Sequence, residues 1–176
     1  MRLKKTNAVI ALITLLIFLV HSLYQTVSYV FLIRVPVLPH ILGGTLTLFF
    51  VAHAVISVII IFKRNDTVKI EYFGQNRKTA LQRDLGILSF ILFWFHPETA
   101  SHLPNIVLTV IQVVFFCIVF VHIAVSFSKA LVTLGAIQDM NKLKTVDRVT
   151  AIVCTALCIV MNCVVVTSQC GLFAGV

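Results

Sequence analysis

Long apolar runs separated by short polar connections constrain the fold of this chain. Five runs approach the length of about 20 residues that an α-helix needs to cross the hydrocarbon core of a bilayer. They span residues 8–33, 40–62, 79–96, 105–134 and 149–172. The composition agrees, since 60% of the residues are hydrophobic and 11% are charged, against about a quarter charged in soluble proteins. The sequence therefore predicts an all-α integral membrane bundle of five transmembrane helices, forming one domain over residues 1–176.

The first apolar run follows the basic start MRLKK and in this respect resembles a secretory signal peptide. It is longer than the roughly 7 to 15 apolar residues of such a signal, and no A-x-A cleavage site follows it. We therefore expect this run to be retained as the first span.

The basic residues are distributed unevenly between the two ends of the predicted spans. Of the 14 Lys and Arg residues, all except Arg34 lie at or near one end. By the positive-inside rule this end is cytoplasmic, which places the N-terminus in the cytoplasm and the C-terminus outside. This topology explains the net charge of +8 better than nucleic-acid binding does. The long basic connection from Lys63 to Arg83 is then a docking surface for a soluble partner, or only a solvated loop that fixes the topology.

Four predicted spans each contain one histidine well inside the run, namely His21, His53, His96 and His122. An ionisable residue within a membrane segment usually marks a functional site. At 1.5 Å per residue from the cytoplasmic boundary, the first and third histidines lie about 20 Å deep, and the second and fourth about 15 and 10 Å deep. The four histidines therefore sort into an outer pair and an inner pair.

Two histidine pairs at two depths are the arrangement that two stacked haems require. Imidazole is a good ligand for haem iron, and helix bundles build cofactor sites from side chains on facing helices. The sequence contains no CxxCH attachment motif, which favours haem b over haem c. Iron with histidine in both axial positions has no vacant position for oxygen. The predicted chemistry is therefore electron transfer rather than oxygen activation.

Other roles remain open for these histidines. Each could be an interhelical hydrogen-bond partner. A proton relay usually includes carboxylates within the membrane, whereas Asp84 and Glu98 lie at span ends. A metal transporter would gather its histidines at one depth. The cysteines form no CxxC pair and are predicted to be small apolar fillers.

Further candidate residues lie at the span boundaries. One group of polar residues lies at the outer boundary and consists of Arg34, His40, Glu98 and His102. It is either an interfacial polar cap or a proton-handling quinone site at the outer haem. By charge and depth, candidate partners of the inner haem propionates are Arg64, Arg83 and Lys129. Three glycines lie within the second and third predicted spans, namely Gly43, Gly44 and Gly86. They either let helices or a porphyrin approach closely or serve ordinary helix packing.

The ordered set of segments resembles the dihaem cytochrome b membrane anchor of the succinate dehydrogenase and fumarate reductase family, of the single-anchor, five-helix type. The segment LQRDLGILSFILFWFHPET is similar to that family's LQR-x-TGI run leading to W-x-H. The segments ALITLLIFLVHSL, FVAHAVISVIIIF and FCIVFVHIAVSFSKALVTLGA resemble the histidine segments of its first, second and fourth helices. The chain departs from the family pattern at Leu85, which replaces a threonine, at Pro97, which follows His96 directly, and in its short basic start.

The resemblance implies that His21 and His96 ligate an outer haem b and that His53 and His122 ligate an inner one. It also implies a flavoprotein and an iron–sulfur subunit on the cytoplasmic side of a prokaryotic cytoplasmic membrane. Electrons would pass between these subunits and a menaquinone-like quinone, and the anchor itself would carry out no succinate chemistry. The alternatives are a stand-alone transmembrane haem electron conduit and a non-haem transporter that uses its intramembrane histidines.

Overall fold

The computed structural model describes residues 2–31, 35–63, 75–95 and 104–169. Over these ranges the chain forms five helices and no strand, which confirms the all-α prediction. The helices are α1 (Arg2–Phe31), α2 (Leu38–Lys63), α3 (Gln75–Phe93), α4 (Asn105–Leu134) and α5 (Met140–Gln169).

Within the described residues, four helices are long and apolar enough to cross a membrane, namely α1, α2, α4 and α5. They support a multi-pass membrane protein. Helix α3 does not meet the same measure, because its first half, residues 75–84, is the polar sequence QNRKTALQRD. The structure therefore has a helix where the third span is predicted, but a fifth membrane crossing is not confirmed.

Local capping sets the connection between α4 and α5. Helix α4 ends in a left-handed residue, Gly135, with φ 84°. The N–H groups of Gly135 and Ala136 donate to the carbonyls of Val132 and Leu131, at 3.0 and 2.9 Å, which is the Schellman arrangement that satisfies the last carbonyls of a helix. The Asp139 carboxylate then accepts from the N–H of Asn141 at 3.1 Å and caps the start of α5.

Helices α1 to α4 form a closed bundle. Helix α1 packs against α2 and α4, and α3 packs against α4. Helices α2 and α3 meet through Phe50, whose ring centroid lies 5.9 Å from that of Phe90 and 4.7 Å from that of Phe93. Helices α2 and α4 therefore lie across the bundle from each other, and α5 packs outside against α4 and α1.

Side-chain contacts show which helix ends lie together. Asn7, near the start of α1, donates to Ser57, near the end of α2, at 3.1 Å. Lys129, near the end of α4, donates to Thr79, near the start of α3, at 2.8 Å. Helices α1 and α2 are therefore antiparallel, and so are α3 and α4. The end of the bundle that carries Lys63 and Lys129 also carries the start of α5.

The burial pattern is that of a membrane bundle. Most large aliphatic side chains face outwards, whereas the buried polar residues are small, namely Thr14, Ser22, Ser28, Ser89 and Ser128. Small residues let helix backbones approach closely where lipid provides no hydrophobic force between helices. The hydroxyls of Thr14 and Ser89 donate to the carbonyls four residues earlier, at 2.8 and 2.7 Å, which satisfies donors that water cannot reach.

Candidate functional site

The structure describes three of the four histidines predicted as ligands. His53 is on α2 and His122 is on α4, the two helices that lie across the bundle from each other. Their rings are close enough to interact electrostatically. The structure thus brings the predicted inner pair together. His96, predicted to pair with His21, lies outside the described residues.

A hydrogen bond from α1 orients the His53 ring. Its Nδ1 lies 3.1 Å from Oδ1 of Asn7, and Nδ2 of the same amide donates to Ser57 Oγ at 3.1 Å. An amide oxygen only accepts, so the proton of a neutral His53 sits on Nδ1 and the lone pair on Nε2. Metal-binding histidines are commonly held in this way, with one ring nitrogen donating and the other free to bind the metal.

The His122 ring lies against Gly86 of α3. A Cβ atom added at that glycine would be 3.1 Å from His122 Cε1, so the glycine is what permits the ring to lie there. The ring makes a polar contact with the backbone of Gln82. Its Nδ1 is buried and has no hydrogen-bond partner among the residues described. A buried polar atom without a partner is costly and calls for an explanation.

His21 lies at a different level of the bundle. Its ring is beside Gly43, where an added Cβ would be 3.9 Å from His21 Cε1. Gly43 precedes His53 by ten residues on α2, which corresponds to about 15 Å along the helix axis. His21 and the inner pair therefore occupy two levels along the bundle axis.

The predicted propionate partners have different surroundings. Arg83 is exposed and pairs with its neighbour Asp84, with 3.0 Å between Nε and Oδ1. Lys129 Nζ donates to Thr79 Oγ1 at 2.8 Å and to Gln82 Oε1 at 3.1 Å. Gln82 therefore contacts Lys129 through its side chain and the His122 ring through its backbone. Arg64 lies outside the described residues.

Of the outer group predicted for quinone, the structure describes His40 alone. That residue is exposed in the first turn of α2. Arg34, Glu98 and His102 lie outside the described residues. In the part of the chain that is described, no group of three or more His, Cys, Asp or Glu side chains is placed to hold a metal ion.

The sequence reasoning missed Asn7, whose side chain contacts His53, and Gln82, whose backbone contacts His122. Asn7 directly precedes the predicted first span at residue 8, so it reads as part of the polar boundary. The feature that could have indicated its role is the position of its carboxamide immediately before an apolar run. Gln82 lies near the start of the segment LQRDLGILSFILFWFHPET, before the apolar part of the predicted third span.

Comparison of the chain with models of protein families, with curated proteins and with solved structures found no significant match in any of the three. The resemblance to dihaem membrane anchors therefore stays a prediction from the sequence segments, and the function is argued from the residues of this chain.

Proposed function

We propose that this chain is the membrane anchor of a quinone-linked oxidoreductase complex, a dihaem cytochrome b subunit. It would carry electrons between a membrane quinone and a cytoplasmic flavoprotein and iron–sulfur pair of the succinate dehydrogenase or fumarate reductase type. The observation that carries the proposal is the proximity of the His53 and His122 rings, which come from helices on opposite sides of the bundle.

The inner site fits a haem in three respects. The Asn7 carboxamide leaves Nε2 of His53 with its lone pair. The buried Nδ1 of His122 lacks a hydrogen-bond partner among the described residues, so the ring has capacity for a further interaction. Gly86 keeps the wall of α3 free of a side chain beside that ring. His53 and His122 would hold the iron of a haem, which would supply single-electron transfer there and leave no position for oxygen.

The outer site rests on less structure. His21 stands beside Gly43, as His122 stands beside Gly86. The same combination of a histidine and a helix glycine therefore occurs at both levels. His96 is the proposed second ligand, on the strength of its depth in the sequence and of the family resemblance.

The basic end of the bundle supports the orientation of the proposed partners. The starts of α1, α3 and α5 gather there with the ends of α2 and α4, and most of the Lys and Arg residues lie in these segments. Lys78 of α3 pairs with Asp147 of α5 at 3.6 Å, so these two helices are joined at this end. We propose that it faces the cytoplasm and receives the soluble subunits.

A haem assay tests the proposal directly. The protein is expressed with added haem precursor and purified in mild detergent, and oxidised and dithionite-reduced spectra and a pyridine haemochrome assay are recorded. We expect two haems b per chain with low-spin bands. His53→Leu and His122→Leu should each lose the same haem, whereas His40→Gln, which changes an exposed histidine at the outer boundary, should keep both.

A colourless protein would refute the haem proposal. The remaining roles for the histidines would then be those of a non-haem transporter or of helix packing. The partners need a separate experiment, in which the tagged chain is isolated from its native membrane with a gentle detergent. Co-purification of a flavoprotein and an iron–sulfur subunit supports the anchor role. Two haems without either subunit would instead identify a stand-alone electron conduit.

A further inference from the structure

Two cysteines on different helices lie in contact in the interface between α4 and α5. The Sγ atoms of Cys117 and Cys158 are 3.8 Å apart. The amide of Asn162 stands beside both, with Nδ2 at 3.5 Å from the first sulfur and 3.4 Å from the second. This cluster is separate from the histidine pairs, and the cysteines were predicted from sequence to be small apolar fillers.

The asparagine argues that the cluster is more than apolar packing. An amide in the middle of an apolar helix is costly unless its polar atoms are paired. Oδ1 of Asn162 is buried and has no hydrogen-bond partner within the described part of the chain, so helix packing alone does not satisfy this side chain. Its N–H group is directed at both sulfurs, and donors in that position stabilise negative charge that develops on sulfur during thiol reactions.

The position of the pair determines which reagents reach it. Cys117 lies twelve residues after the start of α4, about 18 Å along the helix and hence near the middle of a span. Its side chain is exposed on the outer surface of the bundle, whereas Cys158 is half-buried. Water-soluble oxidants have no route to that depth, but an oxidant dissolved in the hydrocarbon has direct access to Cys117.

We propose that Cys117 and Cys158 form a redox-active dithiol that a lipid-soluble quinone oxidises to a disulfide between α4 and α5. The two S–H bonds break and one S–S bond forms. The quinone takes up the two electrons and two protons and becomes a quinol. A quinone is a two-electron oxidant that dissolves in the bilayer core, where this pair lies. The proposal does not depend on haem binding.

The bond would fix α4 against α5. Because α4 also carries His122, oxidation of the pair would hold the helix that supplies one of the inner histidines. The dithiol would thereby connect the redox state of the quinone pool with the packing of the histidine bundle.

The test uses the full chain in liposomes. The protein is reduced, freed of reductant and incubated with decylubiquinone. Remaining thiols are alkylated with N-ethylmaleimide, and peptides are analysed by mass spectrometry without reduction. We expect a cross-linked peptide pair containing Cys117 and Cys158, with about one quinol formed per disulfide. Cys163→Ser, which removes another exposed cysteine of α5, should leave both the cross-link and its rate unchanged.

Asn162→Leu tests the role of the amide. We expect its oxidation to be about tenfold slower or more, because the donors to the reacting sulfurs are lost. Circular dichroism melting checks that this variant remains folded. Cys117→Ser lacks the pair with Cys158 and serves as the control that cannot form this disulfide. Haem content is measured in parallel and should not change in Cys117→Ser, so failure of this proposal is distinguishable from failure of the proposed function.

Two results would overturn the proposal. In one, N-ethylmaleimide alkylates both thiols fully after incubation with the quinone, although iodine, which dissolves in the bilayer, oxidises the pair to a disulfide. In the other, the cross-link joins Cys154 or Cys163 to a partner and leaves Cys117 and Cys158 free.

Discussion

Replacement of Gly86 by alanine tests the contact between α3 and the His122 ring. The added Cβ would lie 3.1 Å from Cε1, 3.6 Å from Nδ1 and 3.9 Å from Nε2 of His122. Carbon atoms in contact prefer about 3.5–4.0 Å, so the ring must retreat by about 0.4 Å or more. Metal–ligand distances tolerate changes of only about 0.2 Å. The displacement is therefore large enough to disturb an imidazole that ligates iron.

The expected free-energy change combines two opposite effects. Alanine in a helix interior is favoured over glycine by up to about 1 kcal/mol, whereas overpacking of a filled site costs about 1–3 kcal/mol. We expect Gly86→Ala to be destabilised by up to about 2 kcal/mol. Inner haem affinity should fall by about 10–100-fold, the range seen when the support of a metal ligand is disturbed.

Two matched variants supply the control, because they make the same chemical change on α2. At Gly44 an added Cβ meets nothing within 4 Å, and at Gly43 it meets His21 Cε1 at an ordinary 3.9 Å. Both alanine variants should be neutral or slightly stabilised. Thermal unfolding in detergent and haem spectra measure all three. If Gly86→Ala melts together with Gly44→Ala and keeps both haems, the His122 ring does not lie against α3.

Three other substitutions give independent tests. Asn7→Leu releases Nδ1 of His53 and should lower inner haem affinity by about 10–100-fold in a haem titration; an unchanged affinity would mean that this hydrogen bond does not position the ring. Lys129→Met removes the donor to Gln82 and Thr79 and should lower the melting temperature measured by circular dichroism, and a wild-type melting curve would contradict the contact between α3 and α4. Gly135→Ala forces a Cβ onto a residue with φ 84° and should cost about 1–2 kcal/mol in unfolding experiments, whereas no loss would argue against the left-handed end of α4.

The limits of some helices could be predicted from the sequence more accurately than those of others. Residues 105–134 were predicted as a span and form α4 with the same limits, because Pro104 precedes that run and Gly135 follows it. Helix α5 begins nine residues before its predicted span, at Met140. Hydropathy predicts where the chain enters the hydrocarbon core of the bilayer. The helix begins earlier, where the Asp139 carboxylate caps it.

For the candidate site, the depth of each histidine along its helix could be predicted from the sequence. The direction in which each side chain points around the helix axis could not. Rise per residue is fixed at about 1.5 Å, so counting along the chain places His53 and His122 towards one end and His21 towards the other. The rotation of a helix about its axis is not fixed by the sequence in the spans of α1, α2 and α4, because these spans are apolar on every side and offer no amphipathic stripe to orient them. Contacts that depend on rotation, such as that of Asn7 with His53, could therefore not be predicted.

The distinction between depth and rotation can be tested on α2. Exchanging two neighbours in the double variant His53→Ala, Ala54→His moves the imidazole by only about 1.5 Å along the axis but turns it by about 100° around the helix. The ring then faces away from Asn7 and from His122 of α4, so we expect the inner haem to be lost and the outer haem to remain in the reduced spectrum. Retention of both haems would show that depth alone selects the ligand, and that the pairing across the bundle does not hold the inner haem.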